Sequence, residues 1–302
     1  GDTVSLIKNN IDHETDATFG SHENYLVTRN FPFTYKGLGK LVPFLVTRQL
    51  FTGSGRIGAS DTGDGLILLD PRNGQPMRPS RAPEIPFQIS QRADHIVNDF
   101  FEWVQGNRAI VNTRDEPLAD PEQFRRIHLL LGDSNMAEVA TALKLGTTGL
   151  VLQLIEEGHA PTGFDFDDAV ETLKEVSRDQ DRTWLVQLAS GKTLSAIDIQ
   201  EEFLSAASKH YRGQDEETDW VLREWEQVLA DLRQDYTKLV GKVDWASKLW
   251  LLESFREAEK LEWDDPWLKS LDLEYHNLCA TKGLYFGLQD EGKATRVTTD
   301  SA

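Results

Sequence analysis

Phe124-Arg125-Arg126-Ile127-His128-Leu129-Leu130-Leu131-Gly132-Asp133 alternates as a strand does and sorts two chemistries onto opposite sides. Strand side chains repeat every two residues, so Arg126 and His128 share one face. Ile127, Leu129 and Leu131 share the other, which is purely apolar and predicts a buried row. Any fold of this chain therefore contains a sheet that turns an arginine and a histidine toward something polar. Gly20 to Leu26 repeats the pattern: His22 and Asn24 fall on one side, Glu23 and Tyr25 on the other. Two imidazoles and a guanidinium on neighbouring strands suit a divalent metal carrying phosphates, because neutral imidazole ligates metal and guanidinium grips phosphate oxygens in pairs. Either histidine alone reads more readily as a hydrogen-bonded structural residue.

The surrounding pattern divides the chain. Val4 to Lys8, His22 to Arg29, Phe87 to Asp94, Ala109 to Thr113 and Phe124 to Leu131 are short alternating or apolar runs separated by Gly, Pro and Asp. One helix, Leu38 to Phe51, interrupts them, with Pro43 near its first turn. A proline-rich connection follows, read as a loop inserted over 58–86, in which Leu66 to Leu69 predict an added hairpin strand. It is either a functional flap or a surface excursion. Gln88, Ser90 and Arg92 alternate on one side of the third run, and Arg114 to Pro117 form a charged surface turn. From 134 onward the pattern is helical: Met136 to Glu157 capped by Asp133 or Ser134, Asp165 to Ser177, a hairpin around Ser190-Gly191, then Ser195 to Tyr211, Asp219 to Leu239, Asp244 to Lys260 and Asp265 to His276. The tryptophans at 220, 225, 245, 250, 263 and 267 belong to this part and predict inter-helix packing. The reading is α+β, with 1–133 a sheet-rich part of a nucleotide and metal cradle and 134–302 a helix-rich portion of the same domain.

Charge narrows the ligands. The chain carries a net charge of -18, which opposes nucleic acid as a partner. Residues 1–133 hold 14 basic and 17 acidic groups against 18 and 33 in 134–302, so an anionic ligand belongs to the first part. The single cysteine, Cys279, cannot form an internal disulfide. No signal-like leader and no unbroken apolar run approaching about 18 residues is present, so a reducing compartment, the cytoplasm, and no membrane association are expected. Neither a G-x-x-x-x-G-K-S/T loop nor a G-x-G-x-x-G fingerprint occurs, so a nucleotide here is held by sheet side chains.

Ile7 to Asn10, Gly20 to Leu26, Pro43 to Gln49, Gln88 to Asp94, Ile110 to Pro117 and Arg125 to Asn135 together resemble the ligase and deamidase enzymes of prokaryotic ubiquitin-like protein (Pup), over about residues 4 to 297. The resemblance implies a glutamine-synthetase-like antiparallel sheet cradle with packed helices, holding ATP and Mg. It implies that His22 and His128 are metal ligands, that Arg92 and Arg126 contact nucleotide phosphates, and that Asn24 faces the nucleotide or the substrate carboxyl group. Gln88 to Asp94, Gly146 to Thr148, Ile155 to Gly158, Asp244 to Leu249 and Trp263 to Pro266 look more like the deamidase (depupylase) branch. That branch hydrolyses the C-terminal glutamine of Pup and cleaves Pup from target lysines.

The same resemblance implies parts with no counterpart in these motifs: an N-terminal strand with E-x-E metal carboxylates, the catalytic aspartate, and a small C-terminal domain. No catalytic residue is therefore assigned in this chain. Leu118 stands where the family commonly has histidine. Three readings follow. The chain is a Pup deamidase whose other half, with the E-x-E strand, lies elsewhere, either on a separate N-terminal polypeptide or in a longer protein of which this is a fragment; or it is an ATP-dependent Pup ligase, or a non-catalytic Pup-binding paralogue. Partners on the first two are Pup and pupylated proteins.

Overall fold

A computed structural model describes residues 4–12, 15, 17–61, 82–102, 108–294 and 296–298. The strands Glu23–Thr28 (β1), Asn98–Phe101 (β4), Ala109–Asn112 (β5) and Phe124–Leu129 (β6) form one sheet in the order β1-β6-β5-β4. β6 is antiparallel to both neighbours, whereas β4 joins β5 in parallel at the margin. Between β1 and β4 lie the short helices Tyr35–Gly39 (α1), Val42–Thr47 (α2) and Gln49–Thr52 (α3), then a two-residue ribbon of Arg56–Ile57 (β2) with Phe87–Gln88 (β3). After the sheet come helix Glu138–Glu156 (α4), helix Ala169–Arg178 (α5), and a hairpin of Leu185–Gln187 (β7) with Thr193–Ser195 (β8). Helices Ala196–Tyr211 (α6), Glu216–Gln234 (α7), Asp244–Glu259 (α8), Pro266–Glu274 (α9) and Leu284–Asp290 (α10) complete the order. The architecture is α+β, as the patterning implies.

The back of the sheet and the helices share a continuous apolar core running from Val27, Ile127 and Leu129 through Leu45 and Leu143 to Phe203, Trp225 and Leu268. Trp225 and Trp245 are fully buried in it, and Trp263 packs on Phe87. The 19-residue α4 is long and apolar enough to match a membrane span by length and composition, although Lys144 and its threonines interrupt the apolar run. Its buried face, Val139, Leu143, Val151 and Leu154 among others, packs in this core.

Several elements depart from the sequence reading. Val4 to Lys8 forms no strand: Ile7 makes an isolated bridge to Asn277. The helix expected over 38–51 is three pieces: Pro43 has no N–H to continue α1 and sits in the first turn of α2, and Arg48 separates α2 from α3. The strand expected over 87–94 stops at Gln88, since the buried Asp133 carboxylate takes the Gln91 N–H (2.9 Å) and Ser90 Oγ donates to it (3.2 Å), turning the backbone out of extension. Leu66 to Leu69 lie outside the described residues. β2, β4 and α10 have no counterpart in the reading, being short and without alternation.

The cap of α4 is also not the expected one. Asp133 and Ser134 lie too early, and Ala137 occupies the N-cap without a side-chain bond. Asp244, buried at the start of α8, accepts instead from the N–H groups of Met136 (3.0 Å) and Ala137 (2.9 Å), from Asn135 Nδ2 (2.9 Å) and from Tyr275 Oη (2.9 Å). Burial raises this carboxyl group's pKa, and the four donors oppose the rise. Asp244→Ala leaves those donors buried and unanswered, so urea unfolding should show a loss of about 3–5 kcal/mol. A loss below about 1 kcal/mol would mean that α4 is held by its apolar face alone.

Candidate functional site

The register places the polar row of the sheet. Asn24 lies opposite His128, which lies opposite Asn112, and Leu26 lies opposite Arg126. Cross-strand partners share a face, so Asn24, Leu26, Arg126, His128 and Asn112 stand together on the front. Glu23, Tyr25, Val27, Ile127, Leu129 and Val111 form the back, against the core. His22 comes just before β1 and its ring turns over the same front row. Its Nδ1 lies 3.2 Å from His128 Nε2, with ring centroids 5.0 Å apart and planes 62° apart. The two histidines and Arg126 are thus brought together as the alternation implies, and Leu26, 55% exposed, keeps that face open.

Both rings are tuned to be neutral. Burial, then the charge of Arg92, lowers the pKa of His22. Burial, then His22 and Arg126, pushes His128 down to about 4. A neutral imidazole is the ligating form, and the Nδ1 of His128 is buried without a hydrogen-bond partner. The 3.2 Å between facing nitrogens is close to the roughly 3 Å between adjacent ligands of an octahedral ion with bonds of about 2.1 Å. The pair therefore fits two positions of a divalent cation. Among the described residues no group of three or more His, Cys, Asp or Glu side chains is arranged to hold a metal. A hard ion such as magnesium would complete its shell here with oxygen from phosphates, water or groups outside this set.

Gly20 supplies room for this arrangement. A Cβ there would lie 2.6 Å from both Cδ2 and Nε2 of His22 and 3.4 Å from Arg92 Nη2, so only glycine lets the chain pass this close to the ring. Arg92 is not on a strand face. It caps the 3-10 turn Ala93–His95 and is 2% exposed, and its guanidinium donates to Thr18 Oγ1 and to the carbonyl of Leu130, both at 2.9 Å. Burial lowers its pKa to about 10, partly offset by Asp133. Its place is behind His22, whereas Arg126 is half-buried on the open front, its Nε without a hydrogen-bond partner.

The sequence reading missed three contributors. Asn112 continues the row of His128 but follows an apolar strand whose parity hides it. It is fixed by Nδ2 donating to the Glu102 carbonyl (3.2 Å) and by Oδ1 accepting from Arg114 N–H (3.0 Å). Glu23 and Arg48, on the back, form a buried ion pair at 2.5 Å. An acidic residue at an apolar-face position was the signal for it. Arg114 to Pro117 is the charged surface turn expected, with Asp115 accepting from Arg29 (2.9 Å) and Arg125 (3.1 Å).

A sequence profile described as Pup-ligase protein matches residues 1–302. Among curated relatives, a depupylase of Acidothermus cellulolyticus is 40% identical over 314 residues, covering 100% of this chain and 57% of the relative. A Pup--protein ligase of Xylanimonas cellulosilytica is 39% identical over 306 residues, covering 99% and 62%. Among solved structures, the Pup ligase PafA in complex with ADP superposes with a TM-score of 0.81 at 36% identity, over 99% of this chain and 62% of that one. The complex of Pup with PafA gives 0.80 at 36% identity, over 98% and 56%. The chain thus spans a little over half the length of the relatives it matches.

His128 titrates below an unfolded histidine, so the unfolded chain takes up the proton first. The stability that this ring contributes is complete above about pH 6.5 and lost as pH falls toward 4. NMR titration should find His128 neutral at pH 5. The wild-type urea midpoint should fall between pH 6.5 and 4.5 more steeply than that of His128→Gln. Parallel slopes, or an ordinary pKa near 6.5, would contradict the environment described.

Proposed function

The chain belongs to the Pup-ligase family, and from that membership we propose that it carries the nucleotide and cation cradle of an enzyme acting on prokaryotic ubiquitin-like protein. The reaction proposed is that of the depupylase branch: hydrolysis of the C-terminal glutamine of Pup and release of Pup from target lysines. The observation that carries the proposal is the contact of two neutral imidazoles beside Arg126 on an open sheet face. Support for the branch comes from Gln88 to Asp94, Gly146 to Thr148, Ile155 to Gly158, Asp244 to Leu249 and Trp263 to Pro266. Relatives named as depupylases and as ligases are equally similar at 40% and 39% identity. An ATP-dependent ligation by the same cradle is accordingly the second reading.

In this proposal His22 and His128 hold one divalent cation, and the cation, when bound, supplies positive charge for phosphate oxygens and a polarised carbonyl. Arg126, on the front, donates to phosphate. Arg92 adds its charge to the burial that lowers the pKa of His22, and offers its remaining N–H groups to phosphate only where the ligand reaches past Gly20. Asn24, exposed beside His128, donates to the nucleotide or to the substrate carboxyl group. Carboxylates and an acid or base that complete the reaction are drawn from residues beyond this set, as the greater length of the relatives allows.

The test is an assay with Pup ending in glutamine, run with the chain alone and with an N-terminal polypeptide carrying an E-x-E strand and an aspartate. Deamidation is expected in the second mixture, without stoichiometric ATP consumption, and His128→Ala should abolish it. Arg126→Ala should weaken ATP binding by about 1.5–3 kcal/mol, roughly 10- to 150-fold, because one charge-assisted phosphate contact is lost. ATP-driven attachment of Pup to lysine would move the chain to the ligase reading. Unchanged ATP affinity in Arg126→Ala would remove that residue from the cradle.

A further inference from the structure

Glu23 is the one acidic side chain among the residues that β1, β6 and β5 turn toward the core. It lies directly between His22 and Asn24 and is 5% exposed. Both its oxygens are held by Arg48, which is 1% exposed, through Nη2 to Oε1 (2.5 Å) and Nη1 to Oε2 (2.9 Å). Tyr25 Oη donates to Oε2 (2.6 Å), and Arg48 Nη1 also donates to Thr148 Oγ1 of α4 (2.5 Å). Gly132 closes the arrangement: a Cβ there would lie 2.6 Å from the Ser21 carbonyl and 2.8 Å from Glu23 Oε1. One carboxylate thereby fastens the chain at the start of β1 to the α2–α3 junction and, through Arg48, to α4.

Stability alone does not explain such a pair. Desolvating two charges offsets much of their attraction, and apolar side chains of similar volume often serve a fold as well or better. What an apolar pair lacks is direction: the guanidinium fork fixes the carboxylate in plane and distance. Neighbouring strand residues point to opposite faces, so the backbone at Glu23 sets the height and pitch of His22 and Asn24 in front.

We propose that Glu23 and Arg48 are positioning residues. Their buried ion pair fixes the start of β1 so that His22 meets His128 at the spacing a divalent cation takes. The purpose of that spacing rests on the cation reading above, but the positioning itself is measurable without it.

The experiment uses the whole chain, metal-free, with 15N-labelled histidine. Wild type should show a coupling between His22 Nδ1 and His128 Nε2 through their hydrogen bond, and Mn2+ serves as the binding probe. Glu23→Met with Arg48→Met should keep a urea midpoint at or above wild type, lose the coupling, and bind Mn2+ at least tenfold more weakly. If that double variant does not fold, Arg48→Lys keeps the charge without the fork, and should fold with a weakened coupling. A preserved coupling in whichever variant folds would overturn the proposal, as would its absence from wild type. Absence of Mn2+ binding by wild type with the coupling intact would count against the cation reading alone.

Discussion

Asp133 is the knot on which the geometry depends. Its Oδ2 accepts the N–H groups of Ser54 (2.8 Å) and Gln91 (2.9 Å), its Oδ1 accepts from Ser90 Oγ (3.2 Å), and its own carbonyl accepts from Lys144 Nζ (2.8 Å). Four segments meet there: the exit from α3, the turn after β3, the end of β6 and the first turns of α4. Burial pushes this carboxyl group's pKa up, and the backbone donors, Arg92 and Lys144 work against the rise. Buried and multiply bonded, it diverts residues 90–92 from the sheet and sends Arg92 beneath Thr18 and Leu130. That detour brings the Arg92 charge to His22, where it adds to the effect of burial.

The sheet separates two tasks by parity. Its back carries the apolar core and the buried Glu23–Arg48 pair, with Arg125 and Asp115 paired at its margin, and its front carries imidazole, guanidinium and amide groups that make few bonds to one another. His128 Nδ1 and Arg126 Nε, both on that front, are buried without a hydrogen-bond partner. Polar groups held apart from satisfying neighbours by a rigid scaffold are what a binding surface requires, since a site already saturated by its own bonds has none to offer a ligand. The buried network of Lys248, Asp272 and His276 is the contrasting case. Lys248 Nζ lies 2.6 Å from Asp272 and 2.8 Å from His276 and is fully enclosed, joining α8, α9 and the chain after it.

Much of this is legible in the sequence. Period-two alternation in Phe124 to Asp133 and Gly20 to Leu26 found the paired strands β6 and β1 and placed His22, Asn24, Arg126 and His128 on one side, because a strand in a one-sided sheet cannot slip register without burying them. Arg92 was misplaced for the opposite reason. Its local alternation is real, but a distant carboxylate outbid the ladder for the Gln91 N–H, and no local pattern reports a partner 42 residues away. The same blindness hid the cap of α4, supplied by Asp244 from more than 100 residues downstream. Asn112 escaped because an amide at the end of an apolar strand carries no periodic signal of its own.

The central claim is that the facing nitrogens of His22 and His128 are two ligands of one divalent cation beside a nucleotide. Crystals of the chain grown with ADP and Mn2+ test it through the anomalous signal of manganese. A peak about 2.0–2.3 Å from both His22 Nδ1 and His128 Nε2, with phosphate density on the Arg126 side, is the predicted result. Bound ADP with the two rings still in direct contact and the manganese elsewhere or absent would contradict it.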